Sequence, residues 1–213
     1  MKKVFFAAAV FAAVCIGFIG CANAGGGGDT PEATKPLSPG NYTVKSELNC
    51  IAPLMNADLA NGAPTKSGNK PLLESTQATV DSDGKITLTL KLRKANVYFN
   101  PDATMPVETF VDPRNSPPGY YDMNGEKQNA LSTTVSTDDT AKDPSNQDVH
   151  YVTSMTFPVS KEKSEYFLWI YINSGFMGAQ FCDGKGTAGH SQPNAHSKYK
   201  GKLTVDWSTL TKE

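Results

Sequence analysis

Strict two-residue alternation of apolar and polar side chains, met in several short stretches, limits this chain more than any other feature. Ile86, Leu88, Leu90 and Leu92 are separated by Thr87, Thr89 and Lys91. Tyr42, Val44, Leu48 and Cys50 share one parity, with Thr43, Lys45, Glu47 and Asn49 on the other. Tyr151, Met155, Phe157 and Val159 repeat the pattern, as do Leu203, Val205 and Trp207. A period of two places alternate side chains on one face of an extended strand, so each stretch reads as a strand with one buried face. Residues 166–172 are continuously apolar and aromatic, as in a central strand covered on both faces. No long stretch carries apolar residues at helical spacing, and turn-forming residues separate the strands. Asp81, Ser82, Asp83, Gly84 and Lys85, between Val80 and Ile86, give the strongest hairpin signal. The expectation is an all-β antiparallel sandwich with long loops.

Two segments depart from this pattern. Residues 52–75 are rich in Pro, Asn, Gly and Ala, and a short helical turn is expected there over 66–73. Residues 100–148 carry Pro101, Pro106, Pro113, Pro117, Pro118 and Pro144 among many Asp, Asn, Ser and Thr, and are the least regular part. One strand is expected within them, over 131–135.

The start of the chain sets the compartment. Lys2 and Lys3 precede an uncharged run to Gly20, and Phe18, Ile19 and Gly20 lead into Cys21. A charged start, an apolar middle and a small residue before a cleavage point make a secretory signal over 1–20, too short for a comfortable membrane span. The box from Phe18 to Cys21 resembles that of bacterial lipoproteins, in which the cysteine is lipidated and becomes the new N-terminus. Ordinary cleavage after Ala24 is the competing reading. Residues 21–40, with four consecutive glycines and Pro31, Pro36 and Pro39, read as a tether, leaving 41–213 as a single domain. The protein is expected outside the cytoplasm, periplasmic or at the cell surface, held to a membrane by its lipid alone.

The whole chain has 20 basic and 21 acidic side chains, and Lys2 and Lys3 leave with the signal. Without a basic stripe or an aromatic-interleaved Lys/Arg run, nucleic acid is not an expected partner. Of four cysteines, Cys15 leaves with the signal and Cys21 carries the lipid. Cys50 and Cys182 remain, and in an oxidising compartment they are expected to pair; two separate buried thiols are the alternative.

Chemistry is sparse. Cys182, His190 and His196 are the one set of metal-ligand types, but their spacing fits no compact zinc pattern, and loop histidines in solvent account for it equally. No Gly-x-Ser-x-Gly elbow is present, and Asp138 and Asp139 lie in a polar, turn-rich run. No enzyme is expected.

Several fragments in order resemble the NEAT family, the immunoglobulin-like haem-acquisition domains of bacterial surfaces. Gly40-Asn41-Tyr42-Thr43-Val44 is similar to its opening strand, with Leu54-Met55-Asn56-Ala57 following. Ser67-Gly68-Asn69-Lys70-Pro71-Leu72-Leu73 resembles its serine-bearing lip turn. Asp83-Gly84-Lys85-Ile86 resembles the next hairpin, Phe176-Met177-Gly178 the late one, and Asp206-Trp207-Ser208 the close. The resemblance implies an immunoglobulin-like sandwich and a slot for haem or another small apolar ligand. Phe176, Met177 and Phe181 would line that slot, and Ser67, Asn69 and Lys70 would offer donors at its mouth. The tyrosine with which the family holds iron is missing from the late hairpin, where Met177 is the candidate in its place, against a plain core-filling role. The alternative is an adhesive or structural module that binds another surface macromolecule through residues 100–148.

Overall fold

The alternating stretches do form strands. In the computed structural model, residues 36–52, 57–114, 116–174, 179–183 and 200–213 are described, all within the unit Pro36–Glu213. They form β1 (Gly40–Ala52), β2 (Ala57–Asp58), β3 (Leu73–Val80), β4 (Ile86–Leu92), β5 (Ala95–Val97) and β6 (Val107–Val111). β7 (Gly119–Tyr121), β8 (Lys127–Asn129), β9 (Ser132–Val135), β10 (Ala141–Lys142) and β11 (Asp148–Val149) follow. The chain continues through β12 (Val152–Val159), β13 (Glu165–Asn173), β14 (Ala179–Asp183) and β15 (Lys200–Lys212). The fold is all-β and antiparallel, as expected.

The main path of the sheet is β5-β6-β13-β15-β1-β3-β4-β12-β9. β1 lies between the two flanks: Gly40 to Val44 pair with β3, while Tyr42 to Ile51 pair with β15. The sheet curls so that its flanks face each other like the layers of a sandwich. Phe157 of β12 is fully buried, stacked on Tyr120 of β7 at 5.5 Å between ring centroids and edge-on to Tyr166 of β13 at 6.3 Å. Leu48, Leu88, Leu90, Met155, Leu168, Ile170 and Leu203 complete the same core, each from the apolar parity of its strand. β13 is buried on both faces only from Leu168 onward, because Glu165 and Phe167 face solvent.

Residues 100–148 are more regular than their sequence suggested, containing the strands from β6 to β11. A single device organises three of the hairpins. Asp81 Oδ1 accepts the N–H groups of Asp83 and Lys85 at 2.9 and 2.8 Å. Asp122 Oδ1 accepts those of Asn124 and Glu126, and Asp143 Oδ1 those of Ser145 and Gln147, all at 2.9 Å. The fourth residue of each turn is left-handed: Gly84 at φ 78°, Gly125 at φ 77° and Asn146 at φ 61°. An aspartate that caps the turn, followed three residues on by Gly or Asn, supplies both the hydrogen bonds and the positive φ the hairpin needs.

The helical turn expected over 66–73 is not seen, and the segment is a run of bends and turns. Asn69 N–H donates to Lys66 O at 3.1 Å, Gly68 is left-handed at φ 81°, and Pro71 has no N–H to continue a helix. Lys70 instead bridges to Asn96 of β5. The last strand extends beyond Trp207, where its alternation ends, because its pairing with β1 resumes at Thr211 and Lys212 after an irregularity.

Cys50 and Cys182 form a disulfide, Cα to Cα 6.0 Å, joining β1 to β14. Closing a loop of sequence separation 132 confers about 5 kcal/mol in the chain-entropy model. The core and the turns make a second, sharper pair of expectations. Phe157→Ala should cost about 3–5 kcal/mol by creating a cavity. Gly84→Ala, where an added Cβ meets nothing within 4 Å, should cost only the left-handed backbone term of about 1–2 kcal/mol. Urea unfolding of the two variants beside wild type checks both values.

Candidate functional site

The slot implied by the resemblance is described only on one side. Asn69 is committed to holding its own turn: Nδ2 donates to Asn61 O at 2.8 Å, and Oδ1 accepts the Tyr98 N–H at 3.4 Å. Lys66 secures the same turn through Pro101 O at 2.8 Å. Ser67 and Lys70 are exposed. Asn61 Nδ2 in turn donates to Leu48 O and to Asp58, and Leu59 N–H donates to Cys50 O at 2.9 Å, so the turn and the disulfide belong to one hydrogen-bonded end of the molecule. Phe176, Met177, His190, His196 and the lipidation candidate Cys21 lie outside the described residues, and Phe181 is described by its backbone, paired with Tyr171. Cys182 is in the disulfide. Among the described residues no group of His, Cys, Asp and Glu could hold a metal ion. Of the three expected polar groups, Asn69 is spent within the turn while Ser67 and Lys70 face solvent, and the candidate iron ligand Met177 lies outside the described residues.

A second constellation lies within the irregular segment. Asp112, at the end of β6, is fully buried. Arg114 grips it with Nε at 3.0 Å and Nη2 at 2.7 Å, and reaches Asp143 through Nη1 at 3.0 Å. Asn173 Nδ2 adds a further bond at 3.2 Å. Burial pushes the Asp112 carboxyl up, but the Arg114 side chain and backbone N–H together with Asn173 outweigh it and hold the group below its ordinary range. The clamp fastens the β10–β11 ribbon to β6 and β13. Lys94 does the same nearby, pairing with Asp139 at 2.8 Å. Tyr151 O–H also donates to Asp139 at 2.8 Å, and burial, then this carboxylate, pushes Tyr151 up to about 12. Asp139, half exposed in its polar, turn-rich run, thus has two partners. All of these contacts are structural.

An open concavity lies elsewhere, between the turn joining β7 to β8 and the turn joining β12 to β13. β7 pairs with β13 only at Leu168 and Trp169, and the Asp122 turn then carries the chain away. The result is a cleft of about 550 Å³, within the size range of small-ligand sites. Tyr120 and Tyr166 form its floor, with Tyr121, Met123, Pro158, Val159 and Phe167 on its walls and Asp122, Lys163 and Glu165 at its rim. Met123 and Phe167 are 60% and 37% exposed, a high value for large apolar side chains. The wall is held from behind: Tyr166 O–H lies 2.6 Å from Ser160 O and 2.7 Å from Lys163 O, and Trp207 Nε1 donates to Lys163 O at 2.6 Å. Burial raises the pKa of Tyr166 to about 12, so it stays a neutral phenol.

Sequence reasoning missed this cleft because Met123 and Phe167 lie 44 residues apart by number and neither belongs to a motif. The available signal was the Asp-x-x-Gly turn at Asp122, which marks a hairpin and places Met123 at its tip. Comparison with family models, with curated proteins and with solved structures finds no match to this chain.

The Asp112 clamp predicts a pH dependence. A carboxyl whose folded pKa lies below its unfolded value contributes stability above the unfolded pKa, about 3.9, and loses it as pH falls through the folded value. Asp112→Asn should therefore cost about 2 kcal/mol at pH 7, as for a hydrogen-bonded charge. The gap from wild type should narrow below pH 4 in urea unfolding measured across that range.

Proposed function

We propose that this chain is an exported, lipid-anchored binding protein that holds an apolar ligand in the cleft between the β7–β8 and β12–β13 turns, and is not an enzyme. The observation that carries the reading is the convergence of Met123 and Phe167, two exposed large apolar side chains, on one concave site with a polar rim. Covering apolar side chains left in water at a concavity gains roughly 25 cal/mol per Å² of area buried. The resemblance to NEAT modules supports a binding role at a bacterial surface and implies haem as ligand. The candidate iron ligand Met177 lies outside the described residues, so apolar contact in the cleft carries the reading. A second reading, a surface module gripping another macromolecule, draws on residues 100–148: the Arg114 and Lys94 ion pairs make that segment a built surface.

The anchor and the cleft are tested separately. Cys21→Ala should move the protein from the membrane fraction to the soluble fraction, since the acyl chains are its hold on the bilayer; unchanged fractionation contradicts the anchor. For the cleft, the fluorescent apolar probe anilinonaphthalene sulfonate should brighten and saturate near one equivalent with wild type. It should brighten at least tenfold less with the Met123→Asp, Phe167→Asp double variant, whose circular dichroism is expected to be unchanged. Equal brightening of the two proteins removes the cleft as the site. Haemin titrated alongside tests the family's ligand: a Soret shift lost in Met177→Ala and kept in the double variant would place haem at the late hairpin instead.

A further inference from the structure

The two tyrosines on the floor of the cleft are not equivalent. Both are more than nine-tenths buried, Tyr120 at 9% exposure and Tyr166 at 8%. The Tyr166 hydroxyl is spent on the β12–β13 turn, 2.6 Å from Ser160 O and 2.7 Å from Lys163 O. The Tyr120 hydroxyl has no hydrogen-bond partner among the described residues. Nor is it sealed in the interior: among the described residues the buried hydroxyls without a partner are those of Thr109 and Ser174. One face of the Tyr120 ring lies on Phe157, 5.5 Å between centroids and 25° between planes, and the residue lines the cleft. Its O–H therefore opens on the cleft from the floor. Polar groups buried to this degree are normally hydrogen-bonded, so a ligand that expels water from the cleft must supply the missing bond or forfeit it.

The charge around Tyr120 decides which kind of bond that is. Burial first, and the Asp122 carboxylate second, raise the Tyr120 pKa, so the group is a neutral phenol and a ready donor. Asp122 is itself committed, its oxygens accepting the Asn124 and Glu126 N–H groups and the Gln128 side chain. These bonds, that from Glu126 foremost, hold its carboxyl below the usual range, so it stays an anion. The negative charge that discourages a phenolate at Tyr120 equally discourages a ligand anion beside it. At the rim Glu165 is paired with Lys202 at 2.8 Å, and Lys163 stands on the β12–β13 turn, across the cleft from Asp122. We infer that the cleft takes an uncharged apolar molecule bearing a hydrogen-bond acceptor of the carbonyl type, with the acceptor buried against the floor where Tyr120 O–H donates to it, and Met123 and Phe167 covering the apolar body. This deepens the ligand-binding reading and rests on it. Tyr120 then sets specificity: a molecule without the acceptor leaves a phenol stripped of water and unbonded, and one with an anion in its place meets the Asp122 charge.

The test uses the mature protein and three fluorescent probes that share one dimethylaminonaphthalene body: the parent amine, its propionyl ketone and its carboxylate. The ketone should bind about five- to tenfold more tightly than the parent, as for one hydrogen bond, and the carboxylate no more tightly than the parent. Tyr120→Phe keeps the ring and its stack on Phe157 and removes the hydroxyl alone. It should cancel the advantage of the ketone and leave the affinity of the parent unchanged, a pattern that a loss of packing would not give. The carbonyl stretching band of the bound ketone should also move to higher frequency in Tyr120→Phe as the bond to it is lost. Met123→Asp with Phe167→Asp should abolish binding of both neutral probes. An unchanged ratio of ketone to parent affinity in Tyr120→Phe, or a carboxylate that binds more tightly than the ketone, overturns the assignment. If in that case the neutral probes still bind wild type and fail with the double variant, the apolar cleft stands and only its ligand class falls; if neither neutral probe binds wild type, both readings fall.

Discussion

The ladder between β1 and β15 is the constraint on which the rest of the molecule depends. It joins the two ends of the described domain, and its strands are each 13 residues long, far beyond the usual five or six. A ladder of that length must twist, and it does so about an irregularity between Thr43 and Lys45, where Thr209 Oγ1 replaces a backbone acceptor for the Lys45 N–H. The first part of β1 is thereby free to pair with β3, and the first part of β15 with β13. One sheet then serves as both layers, and the core forms where its flanks meet at Phe157. At the far end the disulfide fixes β14 against β1 and adds a covalent tie to the hydrogen-bonded one.

The cleft is a consequence of the same arrangement. β13 is paired along its β15 side by a regular register, but on its other side β7 is only three residues long. Asp122 captures two amides ahead of it and turns the chain before β7 can reach Glu165. The extra residues of β15 after Asp206 let Trp207 reach Lys163 O, so the β12–β13 turn stands as a fixed wall opposite Met123. The apolar side chains of this site are consequently held apart by backbone geometry and do not collapse onto each other. Pre-formed separation of this kind reduces the ordering cost of binding.

Where one parity of side chains had to be buried, the fold was legible in the sequence. The alternation from Ile86 to Leu92 and from Tyr42 to Cys50 fixes both strand and inward face, and the continuous apolar run after Leu168 marks the central strand. Polarity hid the rest. β8 and β9 are exposed at every residue, so they carry no hydrophobic pattern. β10 and β11 each bury one apolar residue, Ala141 and Val149, too few to make a pattern, and the Asp143 turn and the Asp112–Arg114–Asp143 ion pairs hold them as well. The turns at Asp122 and Asp143 could have been read, since they repeat the Asp-x-x-Gly or Asp-x-x-Asn spacing seen at Asp81. The helical turn was misjudged because a Lys-Ser-Gly-Asn-Lys run is equally consistent with consecutive tight turns, and Gly68 at positive φ selects those. The cleft was not legible at all: its walls come from two hairpins whose proximity is decided by β13, and its opening is the early end of β7, which no residue type announces.

The early end of β7 beside β13, which opens the cleft, is the central claim, and amide hydrogen exchange of the ligand-free protein tests it most directly. Tyr166 and Leu168, bonded to β15, should be strongly protected, whereas the Glu165 amide beyond the end of β7 should exchange orders of magnitude faster. Such a step between Glu165 and the two residues bonded to β15 is expected only if the cover of β7 on β13 ends at Phe167. Equal protection of all three amides would show the edge already covered and would contradict the account.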